Sequence, residues 1–578
     1  MADNRMTDLV ERLSRGELSR RDFILRAIGA GLSASFIASA LADNAAAAPS
    51  RGASGRWSRY QADEKTLIIA DTLSNGQWLN MDPGWIYEIN PAAALNIIYE
   101  SLYHWPDSTV PGFEPLLAEA MPEISADGMT ATIKLRQGVK FHTGNEMTAA
   151  DLVFTWNRLK NIKFQASFLA TDYWDSVEAV DDYTIKINLK SPNAALVAIL
   201  TAGPLGVLDS KVARENGATD AADADQTDTA KDWITANSIG TGPYKIAEWD
   251  LNGEVIVERN PDYWGEAPQL DRIIWRNVLD TNTQLQLVQT GEIDVAFSLN
   301  LDSAQTVKDD TNLQLITGPT LGHQYVGMKV SDDETPDYGC TCAGPLLKKE
   351  VRQAIGYAID YDGIINGILG GAGLRIATIV PIPLLGAQEV QELAYTTDLA
   401  KAQELFDASG VGEAEITMSY GTTDVAVGGA LVETLAQKFK ADVEKINGLK
   451  VKLNGYDGNQ RIADYRAGKI QSTISPWTPD YPDVHTYAEP FGRTGVAAAR
   501  RVGYSNPQVD EWLDQGIAEL DEAKRTEIYI NIQKQLIEDA PYHPLFQSVD
   551  QKPARTTVQG LKTHSVYQMQ LRYTSKTA

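Results

Sequence analysis

The stretch "LRQGVKFHTGNEMTAADLVFTWNRL", residues 135–159, joins the end of one regular element to the start of another. Apolar and polar residues alternate over 129–141, which is typical of a half-buried strand. Over 148–160 the apolar residues recur at helical spacing. Thr148 followed three residues later by Asp151 is a helix-start signal, because each side chain can reach the other residue's backbone N–H. The stretch therefore predicts a strand, a turn and a helix.

Strands and helices alternate along the rest of the chain. Residues 65–73 form a short apolar run bounded by turn residues, and residues 181–192 alternate like a half-buried strand. Helical periodicity returns in four later segments: 348–360, 397–409, 429–446 and 525–540. This interleaving predicts an α/β class. The acidic stretch 216–232 has no apolar period, and we predict a solvated loop insertion there.

The composition restricts the kinds of partner. The chain has 578 residues, 43 % hydrophobic and 22 % charged, which is ordinary globular composition at a length that predicts several lobes. It carries 51 Lys and Arg against 77 Asp and Glu, so the net charge is −26. A charge of that sign repels phosphate backbones and anionic membrane surfaces, which argues against nucleic acid as a partner.

Residues 1–48 have the three parts of an export signal. The paired arginines of "SRRDFIL" (19–25) precede a weakly apolar run at 27–42, and small residues suited to cleavage follow at 45–48. The first part resembles the twin-arginine consensus. The apolar run is too short for a membrane anchor, and no cysteine near the cleavage region offers a lipid anchor. We predict a soluble periplasmic protein whose residues 49–63 form a linker.

Sequence signatures of catalysis are missing. The nucleophile-elbow, phosphate-loop, zinc-protease and dinucleotide motifs are all absent. The histidines are isolated from one another along the chain: His104, His142, His323, His485, His543 and His564. Cys340 and Cys342 are too closely spaced for an unstrained disulfide and lack a second ligand pair, which predicts a local loop feature. We therefore predict no catalytic residue, no metal ligand and no cofactor.

The stretch 135–159 resembles the signature of the family 5 extracellular solute-binding proteins of ABC importers, which bind peptides, nickel chelates and some sugars. The matching residues are Leu135, Arg136, Gly138, Val139, Phe141, His142, Gly144, Thr148, Ala149, Asp151 and Phe154. The resemblance continues from "LNMDP" (79–83) to "NPQVDEWLDQG" (506–516). Gly138 and Gly144 suit tight turns, so we interpret this signature as scaffold that does not touch ligand.

The resemblance implies an α/β, two-lobed periplasmic binding protein fold, type II-like and of cluster C. The implied segments are a first lobe at 64–325, its inserted subdomain at about 106–238, a second lobe at 326–540 and a C-terminal return to the first lobe at 541–578. The chain would cross the hinge twice, at 323–330 and at 540–547. Ligand would then close the lobes by hinge motion.

The segment "SPWTPDYPDV", residues 475–484, crowds aromatic rings and carboxylates among three prolines. From the residues alone, a metal site, a catalytic pair, a cleft wall and a solvated turn with core aromatics all remain open. Asp480 and Asp483 would act as a glycosidase pair only if the fold opposed them across a cleft, which a three-residue spacing does not promise. We expect Asp483 to be a turn or helix-start residue.

In peptide-binding members of the family, the matching segment lines the cleft, and the acid at the position of Asp480 holds the peptide's α-ammonium group. The chemistry agrees, because a partly desolvated carboxylate pairs strongly with an ammonium group. Trp477 and Tyr481 would add rigid apolar contact. Further candidates for ligand contact are Ser74, Asn75 and Arg466. A solvated helix-end arginine is the alternative for the last of these.

The resemblance implies a monomeric binding component, not an enzyme, that hands a peptide or another amine-bearing solute to permease subunits in the inner membrane. A binding protein for a sugar, an opine or a metal chelate is the alternative within the family. A periplasmic hydrolase is disfavoured by the missing nucleophile and metal motifs. Asp480 favours an amine over a neutral sugar, and a metal chelate would need clustered His or Arg.

Overall fold

The structure is a computed structural model, and it describes residues 64–74, 78–87, 91–110, 112–298, 304–332 and 342–577. The predicted export signal, the predicted linker, Asn75 and Cys340 lie outside these residues. Residues Ala62–Ala578 form one compact unit. Within the described ranges, no helix combines the length and the apolar character needed to cross a membrane.

The strands of the described residues are β1 Thr66–Asp71, β2 Tyr103–His104, β3 Glu114–Pro115, β4 Glu123–Ile124, β5 Thr130–Lys134, β6 Trp174–Asp181, β7 Thr184–Leu189, β8 Tyr244–Trp249, β9 Glu254–Arg259, β10 Arg272–Asn277, β11 Val295–Ala296, β12 Leu313–Met328, β13 Gly373–Leu374, β14 Ala414–Gly421, β15 Leu449–Tyr456, β16 Ser472–Trp477, β17 Tyr542–Arg555, β18 Val558–Gln559, β19 Lys562–His564, β20 Gln568–Gln570 and β21 Ser575–Lys576.

The α-helices of the same residues are α1 Ala92–Ile98, α2 Ala149–Ile162, α3 Phe168–Thr171, α4 Leu196–Ile199, α5 Ser210–Glu215, α6 Ala224–Thr227, α7 Lys231–Ala236, α8 Thr281–Thr290, α9 Ala304–Asp309, α10 Lys349–Ala358, α11 Leu399–Ala408, α12 Val432–Val443, α13 Gly458–Arg466, α14 His485–Gly492, α15 Ala497–Val502, α16 Pro507–Ala518 and α17 Glu522–Asp539. Shorter turns are the 3₁₀ segments Gln165–Ser167, Gly203–Leu205, Gly344–Leu347 and Gln391–Leu393, and a π-helix at Gly363–Ile368. The helices predicted from periodicity are all present, and their ends differ from the prediction by three residues or fewer.

One large sheet runs through the molecule in the order β15-β14-β16-β12-β17-β11-β1-β10-β9-β8, with β13 paired to β17. Strand β14 pairs in parallel with β15 and β16, and β1 pairs in parallel with β10 and β11. We call β11, β1, β10, β9 and β8 the first half-sheet, and β16, β14 and β15 the second half-sheet. Parallel pairs with helices between the strands confirm the predicted α/β class.

The long strands β12 and β17 connect the two half-sheets. Leu313–Pro319 pairs with β17 beside the first half-sheet, and His323–Gly327 pairs with β17 beside the second. The register shifts between these two stretches and again after Gln324. Such shifts interrupt the ladder of backbone hydrogen bonds and bend a strand pair. The predicted crossings at 323–330 and 540–547 overlap these two strands.

The opening stretch folds largely as its residues predict, but strand β5 ends at Lys134, well before the predicted end at residue 141. Thr148 caps α2, and its backbone N–H donates to the Asp151 carboxylate at 2.8 Å, which completes a capping box. Gly138 and Gly144 have φ values of 74° and 91°. In that left-handed region glycine alone avoids steric cost. The apolar face of α2, with Trp156 fully buried, packs against the separate four-stranded sheet β4-β5-β7-β6.

The prediction of a solvated loop at 216–232 is correct only in part, because most of the stretch is exposed but it is not entirely loop. The stretch contains α6 and the first residues of α7, and both Ala224 and Ala230 are fully buried. The Asp228 carboxylate is also buried, where it accepts hydrogen bonds from Arg158 of α2 at 2.7 and 2.9 Å. Small alanines and a charge-paired aspartate produce no apolar period, which explains why the pattern was misleading.

Each half-sheet packs against its own hydrophobic core. One core joins the second half-sheet to α10, α11 and α12. Another joins the first half-sheet to the C-terminal segment, including Val558, Leu561 and Met569. A third core lies between the four-stranded sheet and α2, and a fourth lies between β12 and helices α14 to α17. Separate cores joined by two strands are the arrangement from which relative motion is expected.

Candidate functional site

The segment 475–484 leaves the large sheet and enters a helix. Strand β16 ends at Trp477, and α14 begins at His485. The carboxylate of Asp483 accepts a hydrogen bond from the backbone N–H of His485 at 2.8 Å, so Asp483 forms the turn that precedes the helix. The same carboxylate is buried and pairs with both terminal nitrogens of Arg525 at 2.8 and 2.9 Å. This ion pair has no local sequence signal.

Two adjoining cavities of about 190 and about 300 Å³ share a wall made by Thr478, Pro479 and Asp480. The smaller cavity is lined mainly by apolar side chains, among them Ile86, Leu95, Phe168, Leu169 and Pro204. The larger is lined by more polar ones, among them Thr320, Ser548, Asp550, Lys552, His564 and Gln568. Residues 135–159 are all described, and none of them lines either cavity. We call the two cavities together the cleft.

Asp480 lies where the two cavities meet, and its side chain is open to the cleft. Its Oδ1 accepts a hydrogen bond from the Tyr87 hydroxyl at 2.5 Å. No basic side chain of the described residues forms an ion pair with it or shifts its titration. Enclosure by protein atoms raises the pKa of Asp480, and the hydrogen bond from Tyr87 offsets only part of that rise. The ionised carboxylate therefore lacks a cation in its own chain.

The two aromatic candidates of this segment occupy different positions. Tyr481 lines the larger cavity and is almost fully buried, with its hydroxyl 3.4 Å from that of Tyr173. Trp477 packs edge-on against Phe491, with ring centroids 5.0 Å apart. It is not among the described residues that line either cavity. Trp477 therefore supports the wall from behind, and Tyr481 faces the cleft.

The remaining candidates lie away from these two cavities. The side-chain amide of Asn277 donates to the Ser74 hydroxyl at 2.9 Å, which holds Ser74 against β10. Arg466 is exposed in the last turn of α13, the position of a solvated helix-end arginine. Neither Ser74 nor Arg466 is among the described residues that line the cleft, and Asn75 lies outside the described ranges.

Sequence reasoning missed the cleft residues that come from distant segments. Tyr87 contacts Asp480 directly. Asp550 and Lys552 on β17 line the larger cavity and form an ion pair at 3.1 Å. The predicted crossing could have indicated the two residues on β17, because strands that connect two half-sheets also form the floor of a cleft between them. No local pattern indicates Tyr87.

Two of the buried histidines that could be mistaken for ligands have structural partners. His485 Nδ1 lies 2.8 Å from the Tyr529 hydroxyl, and His564 Nε2 lies 2.7 Å from the Trp105 carbonyl oxygen. Burial lowers the pKa of both histidines to about 4. In the part of the chain that the structure describes, no group of three His, Cys, Asp or Glu side chains is arranged to hold a metal ion. Cys342 is disulfide-bonded.

Known proteins resemble this chain in both sequence and fold. The sequence profile of the bacterial extracellular solute-binding proteins, family 5 middle region, matches residues 112–498. The glutathione-binding protein GsiB of Pectobacterium atrosepticum is 30 % identical over 430 residues, which cover 73 % of this chain and 77 % of GsiB.

Two solved structures show the same architecture. HbpA2 from Haemophilus parasuis superposes with a TM-score of 0.76 at 23 % identity, over 89 % of this chain and 100 % of that one. The periplasmic binding protein DppA from Helicobacter pylori, in complex with the peptide STSA, gives 0.66 at 23 % identity, over 88 % and 98 %. The two-lobed fold implied by the stretch 135–159 is therefore confirmed. The chain belongs to family 5 of the bacterial extracellular solute-binding proteins.

Proposed function

We propose that this protein is the periplasmic substrate-binding component of an ABC importer and that it captures a peptide or another amine-bearing solute in the cleft. The observation that carries the proposal is the Asp480 carboxylate, which faces both cavities and has no cationic partner among the described residues. Relatives support the same class of ligand, because glutathione and peptides both carry a primary amine.

The Asp480 carboxylate can bind a cation that the described residues of its own chain do not supply. A charge-assisted hydrogen bond from an ammonium group to a carboxylate is roughly twice as strong as a neutral one. Because Asp480 is partly enclosed, water screens that pairing less than it would at an open surface. The apolar residues of the smaller cavity suit a hydrophobic side chain of the solute. The polar side chains of the larger cavity, whose surface is still mostly apolar, can pair with the solute's hydrogen-bonding groups.

The same proposal includes the division into lobes. We assign 64–325, with an inserted subdomain at about 106–238, and 541–578 to the first lobe, and 326–540 to the second. The two half-sheets and their separate cores support this division. A core of its own supports the insertion as far as Val207, whereas residues 208–238 pack with the first half-sheet and favour an earlier end than 238. Register shifts in the β12–β17 pair support a hinge there, which closes the lobes over ligand.

Export belongs to the proposal as well. Residues 1–48 form a twin-arginine signal, and the mature monomer works in the periplasm. The pattern of paired arginines, a short apolar run and small residues supports this. The monomer passes its solute to permease subunits in the inner membrane.

Native mass spectrometry of the full protein, purified without denaturation, tests the ligand class. We expect a bound species that mild unfolding releases and that reacts as a primary amine. A released neutral sugar or a metal chelate would contradict the proposal. Incubation with glutathione and a set of short peptides then ranks amine-bearing solutes by their increase in melting temperature, since a ligand stabilises the folded state by mass action.

A further inference from the structure

Tyr87 and Asp480 both line the smaller cavity and contact each other there. The Tyr87 hydroxyl donates to Asp480 Oδ1 at 2.5 Å, and the two residues are 393 positions apart in the chain. Tyr87 follows a turn in which the backbone N–H groups of Trp85 and Ile86 both donate to the Asp82 carbonyl oxygen. Asp82 is in turn fully buried. The tyrosine therefore projects from a rigid support.

A second contact fixes the ring of Tyr87. Phe168 meets it edge-on with ring centroids 6.3 Å apart, and both side chains line the smaller cavity. The hydroxyl is thus aimed at the carboxylate by the turn before it and by an aromatic neighbour. The arrangement is preorganised, because the groups that hold Tyr87 do not depend on a ligand.

One oxygen of the carboxylate remains available. An ionised carboxylate has about four acceptor positions on its two oxygens. Among the described residues, the only side-chain hydrogen bond to Asp480 is the one from Tyr87 to Oδ1. Oδ2 is therefore free to accept from a ligand while Tyr87 holds Oδ1. The two donors bind the same group from different directions and do not compete.

We propose that Tyr87 is a positioning residue that orients the Asp480 carboxylate for the ligand's amine and couples that recognition to closure of the cleft. The inference rests on the proposed function, because it assigns a role to Tyr87 in that site. The hydroxyl comes from the first lobe and the carboxylate from the second. The contact that orients the charge is therefore made only when the lobes are together.

The coupling has an electrostatic signature. A hydrogen bond donated to a carboxylate favours its ionised form, and Tyr87 accordingly lowers the pKa of Asp480 against the upward effect of burial. Removing the hydroxyl must raise that pKa further. Among the described residues, the charged and titratable groups that line the cleft with Asp480 or interact with it are Tyr87, Tyr173, Tyr481, Tyr487, Tyr567, Asp550, Lys552 and His564. His564 has a pKa of about 4, so the measurement must distinguish the titration of Asp480 from that of His564.

The proposal requires that the ligand-free protein also populates the arrangement in which Tyr87 contacts Asp480. The test therefore uses the full, ligand-free protein and does not depend on knowing the ligand. Carboxyl-carbon NMR of aspartate-labelled protein follows the titration of Asp480, which is identified as the signal lost in Asp480→Asn. We expect Tyr87→Phe to move that midpoint to higher pH and to increase the radius of gyration measured by small-angle scattering at neutral pH. Tyr173→Phe is the matched control, since it removes a hydroxyl that meets Tyr481 and not Asp480; its midpoint should stay at the wild-type value.

An unchanged or lowered midpoint in Tyr87→Phe would overturn the positioning role. A raised midpoint with an unchanged radius would overturn the coupling to closure. Both failures differ from failure of the proposed function, which would show as a ligand that lacks an amine or as ligand affinity unaffected by Asp480→Asn. Because Tyr87 is 42 % exposed, the phenylalanine variant is expected to fold normally, and its melting curve verifies this.

Discussion

Asp151 in the signature helix and Asp480 in the cleft are both acidic side chains, but the chain surrounds them differently. Asp151 accepts hydrogen bonds from the Thr148 backbone and from the backbone and hydroxyl of Ser210, at 2.6 to 3.0 Å. Asp480 accepts one, from Tyr87, and faces two cavities. A carboxylate whose hydrogen-bonding capacity is satisfied within the chain contributes to the stability of the fold. A partly unsatisfied one in a cleft is available to a ligand, at some cost to stability.

The largest expected effect is on stability and comes from the signature helix α2, which contains Asp151. Arg158 of α2 is fully buried between Asp82 and Asp228, and both carboxylates are buried with it. Arg158→Met leaves two buried negative charges unpaired, so the free energy of unfolding should fall by about 3–5 kcal/mol. Urea denaturation measures this loss. The affinity of the folded fraction for ligand should stay unchanged, because Arg158 does not line the cleft.

The control for Arg158 is an exposed ion pair. Lys349 and Glu538 lie 2.5 Å apart with side chains 40 % and 58 % exposed. Lys349→Met should cost no more than about 1 kcal/mol, because solvent already screens that pair. Equal losses in the two variants would show that the buried ion pairs of the signature helix do not support the fold.

A smaller effect separates the two acids of the segment 475–484. Burial alone raises the pKa of Asp483, but Arg525 more than compensates and the net pKa is lowered. The pair therefore stabilises the fold above the unfolded-state pKa, and this contribution is lost as the pH falls through the lowered value. Asp483→Asn should cost about 1.5–3 kcal/mol at neutral pH.

Asp480→Asn is the matched variant, and its effect on the fold has the opposite sign. The pKa of Asp480 is raised, so its charge opposes folding at neutral pH. Its replacement by Asn should leave the free energy of unfolding unchanged or increase it. Thermal unfolding of both variants at neutral pH decides the matter, and a larger loss in Asp480→Asn than in Asp483→Asn would reverse the assignment of the two acids.

The pH dependence of binding gives the smallest effect near neutrality. A ligand amine pairs with Asp480 only while the carboxylate is ionised, so affinity should fall as the pH drops through the raised pKa of Asp480. At high pH it should fall again, since an α-amino group loses its proton near pH 8. Isothermal titration across pH measures this curve. The affinity for an N-acetylated ligand should not change with pH. Identical pH dependence for both ligands would contradict a pairing between Asp480 and the amine.

Local signals in the sequence predicted local structure well. Thr148 with Asp151 and the positive-φ Gly138 and Gly144 act within a few residues, and all of them have the predicted role. The cleft depends on contacts between distant segments, such as the one between Tyr87 and Asp480. Neither hydrophobic periodicity nor motif spacing in the sequence predicts such contacts. Only the family resemblance predicted that Asp480 lines the cleft, and Asp480 does line both cavities.

Errors arose where short-range patterns were ambiguous. The stretch 216–232 is largely exposed as predicted, but its small buried alanines and the paired Asp228 gave no signal for its two short helical pieces. Trp477 and Tyr481 are both aromatic neighbours of Asp480 in sequence, but Trp477 still belongs to β16 and packs on Phe491, whereas Tyr481 lies beyond the strand end. Which ring faces a cleft depends on the helices behind the wall, which the segment itself does not encode.

The central claim is that Asp480 pairs with the amine of the ligand. The direct measurement is isothermal titration of wild type and Asp480→Asn with the identified ligand and with its N-acetylated form. Losing one partner of a buried charge pair typically costs about 2–5 kcal/mol, so wild type should bind the acetylated ligand at least about thirtyfold more weakly. The Asn variant should discriminate much less, which gives a coupling energy between the two changes. Equal binding of both ligands by both proteins would contradict the claim.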